Sequence, residues 1–272
     1  MPRAQPHLAS LHLLRAEIAG IESMPGETRR IPLRVAPLDR QLAGGLKLGA
    51  LHEIVASRPG DQPAATSFAL ALAAHLRAAR RRAPIVWIGE DFAACEQGAL
   101  YGPGLALHGI DPASLLLIHA ASAKEALWAM EEALKSPAPG AVVCEIFTAK
   151  TYDLTASRRL VLAAQKHAIP ALLFLSGVTG TGALSSGADT RFEIRAHPSP
   201  HQASAARRIP LPGFPAWSIR IAKARAGPIG LNSDFHPVVW TEASFRDALS
   251  FPLAAHSGDG PDHQEDRRAF GA

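Results

Sequence analysis

Short apolar runs alternate with amphipathic segments through most of the chain. Apolar residues at helical spacing predict helices over residues 66–80, 123–135 and 155–167. Around them lie five apolar runs of strand length, "HEIVA", "APIVWIGED", "SLLLIHA", "GAVVCEI" and "IPALLFLSG". Buried strands separated by helices are typical of a mostly parallel sheet that is covered on both faces, so we expect an α/β fold.

The two ends of the chain have different patterns. Beyond residue 190, "RFEIRAHPS" and "AWSIRIAKARAG" alternate apolar and polar residues, which predicts antiparallel edge strands near the C-terminus. Residues 8–22 ("LASLHLLRAEIAGIE") predict a separate amphipathic helix, and "SMPGETRR" breaks it. We expect an N-terminal helix and linker over residues 1–30, a core over 31–252 and a disordered tail over 253–272.

Three polar features follow predicted strands. They are the loop at residues 57–65, the carboxylates Glu90 and Asp91, and Glu145. Ligands of parallel α/β sheets bind beyond the carboxyl ends of the strands. We therefore expect these features to line one crevice.

Composition narrows the class of protein only a little. The 272 residues are 47% hydrophobic and 19% charged, and the formal net charge of +4 permits contact with nucleic acid without demanding it. Cys95 and Cys144 have no metal-ligand spacing, the histidines are scattered, and no metal site is predicted. No apolar run has the length of a signal peptide or membrane span, so we expect a soluble, cytoplasmic protein.

The loop after "HEIVA" stands where a phosphate-binding loop, G-x-x-x-x-G-K-[ST], would be placed. Aligned on the following helix, the chain offers Ala64, Ala65, Thr66 and Ser67, with alanine at the glycine and lysine positions. A charge-assisted hydrogen bond contributes roughly 1.5–3 kcal/mol, and the two prolines of this loop, which is about three residues longer than the motif, lack N–H donors. Together these losses weaken nucleotide binding by roughly a thousandfold or more.

Several segments resemble the RecA ATPase core, in the same order along the chain. "LDRQLAGGLKLGALHEIVA" resembles the RecA segment that leads into the phosphate loop, and "GAVVCEI" stands at the Walker B strand with Glu145 at its acidic position. "YGPGLALHGIDPASLLLIHAASAKEALWAMEEAL" resembles the stretch between the catalytic carboxylate and that strand. The helix at residues 8–22 resembles the one by which RecA subunits join.

Within this superfamily, the altered phosphate loop and the ending "WSIRIAKARAGPIG" resemble the ImuA family of bacterial mutagenesis cassettes. That resemblance implies support of error-prone translesion DNA synthesis in the SOS response to DNA damage. The implied partners are an ImuB-like Y-family protein and an error-prone DnaE-type polymerase, with RecA as a further candidate. Contact with DNA is expected to be indirect or weak, and no membrane contact is expected.

The resemblance also assigns nucleotide-site remnants. Thr66 and Ser67 keep the hydroxyl position, Asp91 lies near the catalytic glutamate, and Lys223 and Arg225 resemble basic residues that reach a neighbouring subunit's nucleotide. Each has a structural alternative. Thr66 could be a helix N-cap, Asp91 and Glu145 solvated strand ends, and the basic pair an exposed strand edge. We expect no catalytic residue and no ATP or Mg²⁺ cofactor.

The DNA-binding loops of RecA are also reduced here. The stretch from residue 147 to 157 leaves little room for the first loop, and residues 177–190 carry no Lys or Arg at the second. Gly177 stands about where RecA proteins have a glutamine that links nucleotide to DNA loop. Single-strand binding normally combines basic and aromatic side chains, and residues 177–190 supply neither.

The preferred hypothesis is therefore a non-catalytic RecA-like accessory protein. Its candidate partner-binding residues are Leu11, Leu14 and Ile18 of the first helix and Arg220 after Trp217. The helix could instead fold back on its own domain. Two other functions remain open, an active divergent RecA-type DNA-dependent ATPase and a SulA-like cell-division inhibitor.

Overall fold

The computed structural model describes residues 29–80, 83–180, 185–199, 213–228, 234–241 and 243–250. The α-helices in these ranges are α1 (Ala36–Gln41), α2 (Gln62–Arg77), α3 (Asp91–Gln97), α4 (Gly102–Leu107), α5 (Ala123–Lys135) and α6 (Leu154–His167). The strands are β1 (Arg30–Ile31), β2 (Leu46–Lys47), β3 (Leu51–Ala56), β4 (Ile85–Glu90), β5 (Leu115–Ala120), β6 (Ala141–Ile146), β7 (Ala171–Thr179), β8 (Thr190–Ala196), β9 (Ala216–Ala224), β10 (His236–Thr241) and β11 (Ser244–Asp247).

Within the described ranges, nine strands form one sheet in the order β11-β10-β9-β8-β3-β7-β6-β4-β5. The six strands from β8 to β5 are parallel, whereas β9, β10 and β11 pair antiparallel at the C-terminal side. This is the predicted α/β arrangement. The strands β1 and β2 form a separate antiparallel pair.

The central strands are apolar because helices cover both faces of the sheet. On one face, α2 packs with Phe68 against Trp217 and Phe192, and on the other α5 and α6 bury residues such as Met130 and Leu160. In β3, Leu51 and Val55 lie in one core, and Ile54 and Ala56 lie in the other.

The start of α2 differs from the prediction. We expected a loop over residues 57–65 and a helix over 66–80, but the helix begins at Gln62 and ends at Arg77. Pro63 is tolerated because the N–H groups of the first turn have no helical partner. The loop is therefore only residues 57–61, including a 3₁₀ turn at Pro59–Asp61.

The strand from "RFEIRAHPS" is also placed differently. Its core, β8, is not an edge strand, because it pairs parallel with β3 and antiparallel with β9. The strand β9 is antiparallel as predicted but lies between β8 and β10, and the edge on this side is β11; the sequence pattern predicted neither β10 nor β11. The predicted helix at residues 8–22 and the tail at 253–272 lie outside the described residues.

Two backbone segments approach closely after the first core helix. The helix α1 ends at Gln41, shortly before the Gly44–Gly45 pair. Gly45 has φ of +132°, and a Cβ there would lie 2.4 Å from the carbonyl oxygen of Ile31. Only glycine fits this close backbone approach.

Candidate functional site

The loop at residues 57–61 uses its backbone donors inside the protein. Ser57 N–H donates to the Ile194 carbonyl oxygen at 2.8 Å, and Asp61 N–H donates to the Arg58 carbonyl oxygen at 2.9 Å. Gln62 N–H donates to the carbonyl oxygen of Pro59, which itself has no N–H. Phosphate loops bind by turning such groups toward the ligand, so these three donors are not arranged as a phosphate cradle.

A buried carboxylate occupies the start of helix α2. Asp61 is only 2% exposed, and its Oδ1 accepts from the Ala196 N–H at 3.0 Å. Its Oδ2 accepts from Arg58 Nε at 3.2 Å. A negative charge suits a helix N-terminus, and it would repel a phosphate group at the same position.

The residues aligned with G-K-[ST] lie in the first turns of α2. Ala65 is fully buried in the core, where a lysine ammonium would be desolvated. Thr66 donates its hydroxyl to the Gln62 carbonyl oxygen at 3.2 Å. The N-cap alternative for Thr66 is therefore wrong, because Thr66 lies one turn inside the helix and the N-cap is Asp61.

Ser67 is hydrogen-bonded to a buried histidine. His108 Nδ1–H donates to the Gly104 carbonyl oxygen at 2.8 Å, so Nε2 is left to accept from the Ser67 hydroxyl at 2.9 Å. Burial lowers the pKa of His108, which favours this neutral form. The pair joins α4 to α2, and it engages the hydroxyl next to Thr66, the residue aligned with the magnesium-binding position.

The three acidic residues lie at the carboxyl ends of the adjacent strands β4 and β6, as predicted. Glu90 accepts the Phe147 N–H at 2.7 Å and is buried. Asp91 is the exposed first residue of α3, with its Oδ1 3.6 Å from Nδ1 of His119. The exposure of Asp91 agrees with the alternative that it is a solvated acid at a strand end. The same alternative is wrong for Glu145, because Glu145 is buried.

Glu145 is held in a partly neutral state. Burial raises its pKa to about 7, and hydrogen bonds with Ser176 and Trp87 only partly oppose this. A carboxyl group must be ionised to bind Mg²⁺. Among the described residues, no cluster of three or more His, Cys, Asp or Glu side chains could hold a metal ion.

Lys223 and Arg225 contact their own chain. Lys223 Nζ donates to the Ser186 carbonyl oxygen at 2.7 Å, and Arg225 Nη2 donates to the Gly187 carbonyl oxygen at 3.2 Å. Lys223 is half-buried and pairs with Arg191 of β8, whereas the pairing of β9 with β10 covers only residues 216–219. Burial lowers the pKa of Lys223.

Gly177 is closed to any side chain. A Cβ at this position would lie 1.9 Å from the carbonyl oxygen of Phe147, so the glutamine found at the corresponding RecA position does not fit without a backbone shift. The stretch after β6 is compact, with a 3₁₀ turn at Ala149–Thr151 leading into α6.

The predicted partner-binding residues divide into two groups. Leu11, Leu14 and Ile18 lie outside the described residues. Arg220 lies on β9, where it forms an ion pair with buried Glu193 and its guanidinium lies 4.9 Å from the Phe235 ring centroid.

The sequence analysis missed Glu53 and its partners Tyr152 and Arg191. Glu53 Oε1 accepts a hydrogen bond from the Tyr152 hydroxyl at 2.5 Å, and Oε2 accepts one from Arg191 Nε at 2.6 Å. All three side chains are buried. The available signal was an acidic residue inside the otherwise apolar run "HEIVA", since a buried carboxylate requires a compensating partner.

Known proteins resemble this chain in sequence or in fold. No protein-family model matches the chain. It is 33% identical over 126 residues to Protein ImuA of two Caulobacter vibrioides strains, NA1000 / CB15N and ATCC 19089 / CIP 103742 / CB 15. The match covers 46% of this chain and 48% of each relative, so the chain spans about half the length of the curated relatives it matches.

The crystal structure of the RadB recombinase has a similar fold. The TM-score is 0.50 at 14% identity, over 80% of this chain and 99% of that one. The fold is therefore RecA-like. Among the helices of the described ranges, none combines the length and hydropathy that a bilayer-spanning segment requires.

Proposed function

We propose that this protein is a non-catalytic, RecA-like accessory protein of mutagenic DNA synthesis after DNA damage. Its partners are an ImuB-like Y-family protein and an error-prone DnaE-type polymerase, and RecA is a further candidate. The similarity to Protein ImuA supports the mutagenic role. The arrangement of the loop at residues 57–61 is the observation that supports the absence of catalysis in this proposal.

The loop opposes phosphate binding in three ways. A carboxylate, Asp61, is buried where phosphate would bind, and the donors of Ser57 and Gln62 bond carbonyl oxygens of the chain. The lysine position is the buried Ala65. Each lost charge-assisted hydrogen bond removes roughly 1.5–3 kcal/mol, so two losses already weaken binding by a hundredfold or more, at ~1.4 kcal/mol per tenfold.

ATP turnover by the purified full chain tests this proposal. We expect a rate equal to that of the matched variant Glu145→Gln, both with and without single-stranded DNA. Hydrolysis that single-stranded DNA stimulates and that Glu145→Gln abolishes contradicts the proposal.

One observation favours a second function, an active divergent RecA-type ATPase. Glu145 and Asp91 lie at the ends of adjacent parallel strands, since Gly89 of β4 is in register with Glu145 of β6. The raised pKa of Glu145 would suit a general base near neutral pH. The turnover measurement with Glu145→Gln separates the two functions directly.

A further inference from the structure

A buried charged cluster lies in the sheet, away from the loop at residues 57–61. We call it the Glu53 cluster; it consists of Glu53, Tyr152, Ser186, Arg191 and Lys223. Glu53 is completely buried in the middle of β3, and Arg191 on β8 is 6% exposed. A buried ion pair is stable only when both charges keep their partners, so removing one leaves the other desolvated.

Tyr152 connects the cluster to the segment that follows β6. This residue comes directly after the turn Ala149–Thr151, and its N–H donates to the Ala149 carbonyl oxygen at 3.0 Å. Burial and the negative charge of Glu53 raise the pKa of Tyr152, which keeps the phenol protonated as a donor to that carboxylate. The side chain thereby holds residues 148–153 against the sheet.

Arg191 and Lys223 connect the cluster to the segment that precedes β8. Ser186 accepts a hydrogen bond from each of these side chains. Arg191 Nη2 donates to its hydroxyl at 3.4 Å, and Lys223 Nζ donates to its carbonyl oxygen at 2.7 Å. The same segment is tied at its backbone, because Gly187 N–H donates to the Ser157 hydroxyl at 2.8 Å and Asp189 N–H to the Leu51 carbonyl oxygen at 2.8 Å.

We propose that the Glu53 cluster is a clamp that holds residues 148–153 and 185–189 in one arrangement without nucleotide or DNA. Both segments meet at one carboxylate, so their order depends on Glu53 and not on a ligand at the end of β3. The exposed residues Lys150, Thr151 and Ser185 then form a constant surface. The inference rests on the proposed function, because a nucleotide-free accessory protein needs its surface formed in advance.

Backbone hydrogen–deuterium exchange of the full chain, without nucleotide, tests the clamp. Tyr152→Phe removes one donor and should speed exchange at residues 148–153 by about tenfold, leaving 185–189 unchanged. Lys223→Met should speed exchange at residues 185–189 and leave residues 148–153 unchanged. Glu53→Gln should speed exchange in both segments, whereas the matched control Lys166→Met, at an exposed position of α6, should affect neither.

The clamp is wrong if both Tyr152→Phe and Lys223→Met leave the two segments at wild-type exchange, whether or not Glu53→Gln folds. It is also wrong if saturating Mg–ATP analogue or single-stranded DNA slows exchange of these segments in the wild type. If the protein hydrolyses ATP but nucleotide does not change exchange in the two segments, the proposed function is wrong and the clamp is retained.

Discussion

Glu145 shows at the scale of one residue how burial changes the chemistry of an inherited position. The sequence places an acid at the end of an apolar strand, but it does not say whether water reaches it. The structure buries the side chain beside Trp87, and its pKa rises to about 7 from an ordinary value of 4.5. Ionised Glu145 is therefore disfavoured in the fold.

Stability should consequently fall with rising pH on account of Glu145. Below the ordinary pKa the carboxyl is protonated in both the folded and unfolded states, so it has no effect. Above pH 7 it is ionised in both, and the fold bears the desolvation cost. Since ~1.4 kcal/mol corresponds to one pKa unit, Glu145→Gln should be more stable than wild type by about 2–3 kcal/mol at pH 8.

Urea unfolding at pH 4.5 and pH 8 measures this difference. The stabilisation by Glu145→Gln should largely disappear at pH 4.5, and the exposed control Glu96→Gln should change little at either pH. A difference that does not depend on pH would show that the Glu145 carboxyl does not titrate as described.

Single residues were partly predictable. The alanines at positions 64 and 65 and the pattern of acidic strand ends are visible in the sequence. The partner of Ser67 was not, because His108 lies 41 residues away and meets it only in the fold. Glu53 and Arg191 are separated by 138 residues, and their ion pair was missed for the same reason.

At the scale of elements, the end of β7 is fixed by a close approach of two backbones. The Phe147 carbonyl follows β6 and occupies the space beside Gly177 of β7. Gly60, in the loop before α2, has open space at the same position. A side chain therefore fits at Gly60 but not at Gly177, although both glycines lie near the carboxyl edge of the sheet.

Gly177→Ala should destabilise the protein by about 1–3 kcal/mol, because the new methyl forces the two strand ends apart. Gly60→Ala should change the free energy of unfolding by less than about 0.5 kcal/mol. Urea midpoints of the two variants compare them directly. Equal midpoints would mean that the approach of Phe147 to Gly177 is not retained in solution.

Helices and central strands were predicted well because their periodicity is set by burial. The strand β6 and the helix α5 follow the sequence pattern closely. The start of α2 was missed, since Pro63 is a loop signal in the sequence and an acceptable first-turn residue in the helix. The position of β8 depends on which strand lies beside it, and alternation alone does not encode that.

At the scale of the whole molecule, a RecA-like sheet is kept while the loop at residues 57–61 lacks the groups that grip phosphate. The similarity to Protein ImuA covers 46% of the chain, and the fold similarity to RadB covers 80%. Under the proposed function, such a scaffold acts through its surfaces. The predicted apolar stripe of Leu11, Leu14 and Ile18 is the clearest candidate in the sequence.

Leu14→Glu should reduce co-purification of the Y-family-like partner from damaged cells by about tenfold or more, because a charge then interrupts the apolar stripe. The matched change Arg15→Glu also introduces a carboxylate but lies beside the stripe, and it should have a smaller effect. Circular dichroism should show an intact core in both. Unchanged recovery of the partner with Leu14→Glu would exclude the stripe as the contact.

The proposed function requires that the loop at residues 57–61 and the start of α2 do not bind nucleotide phosphate. Calorimetric titration of the full chain with a Mg²⁺-bound, non-hydrolysable ATP analogue tests it most directly. The account predicts no saturation up to about millimolar concentration, following the roughly thousandfold loss of affinity. Saturable binding of the analogue at micromolar concentration would contradict it.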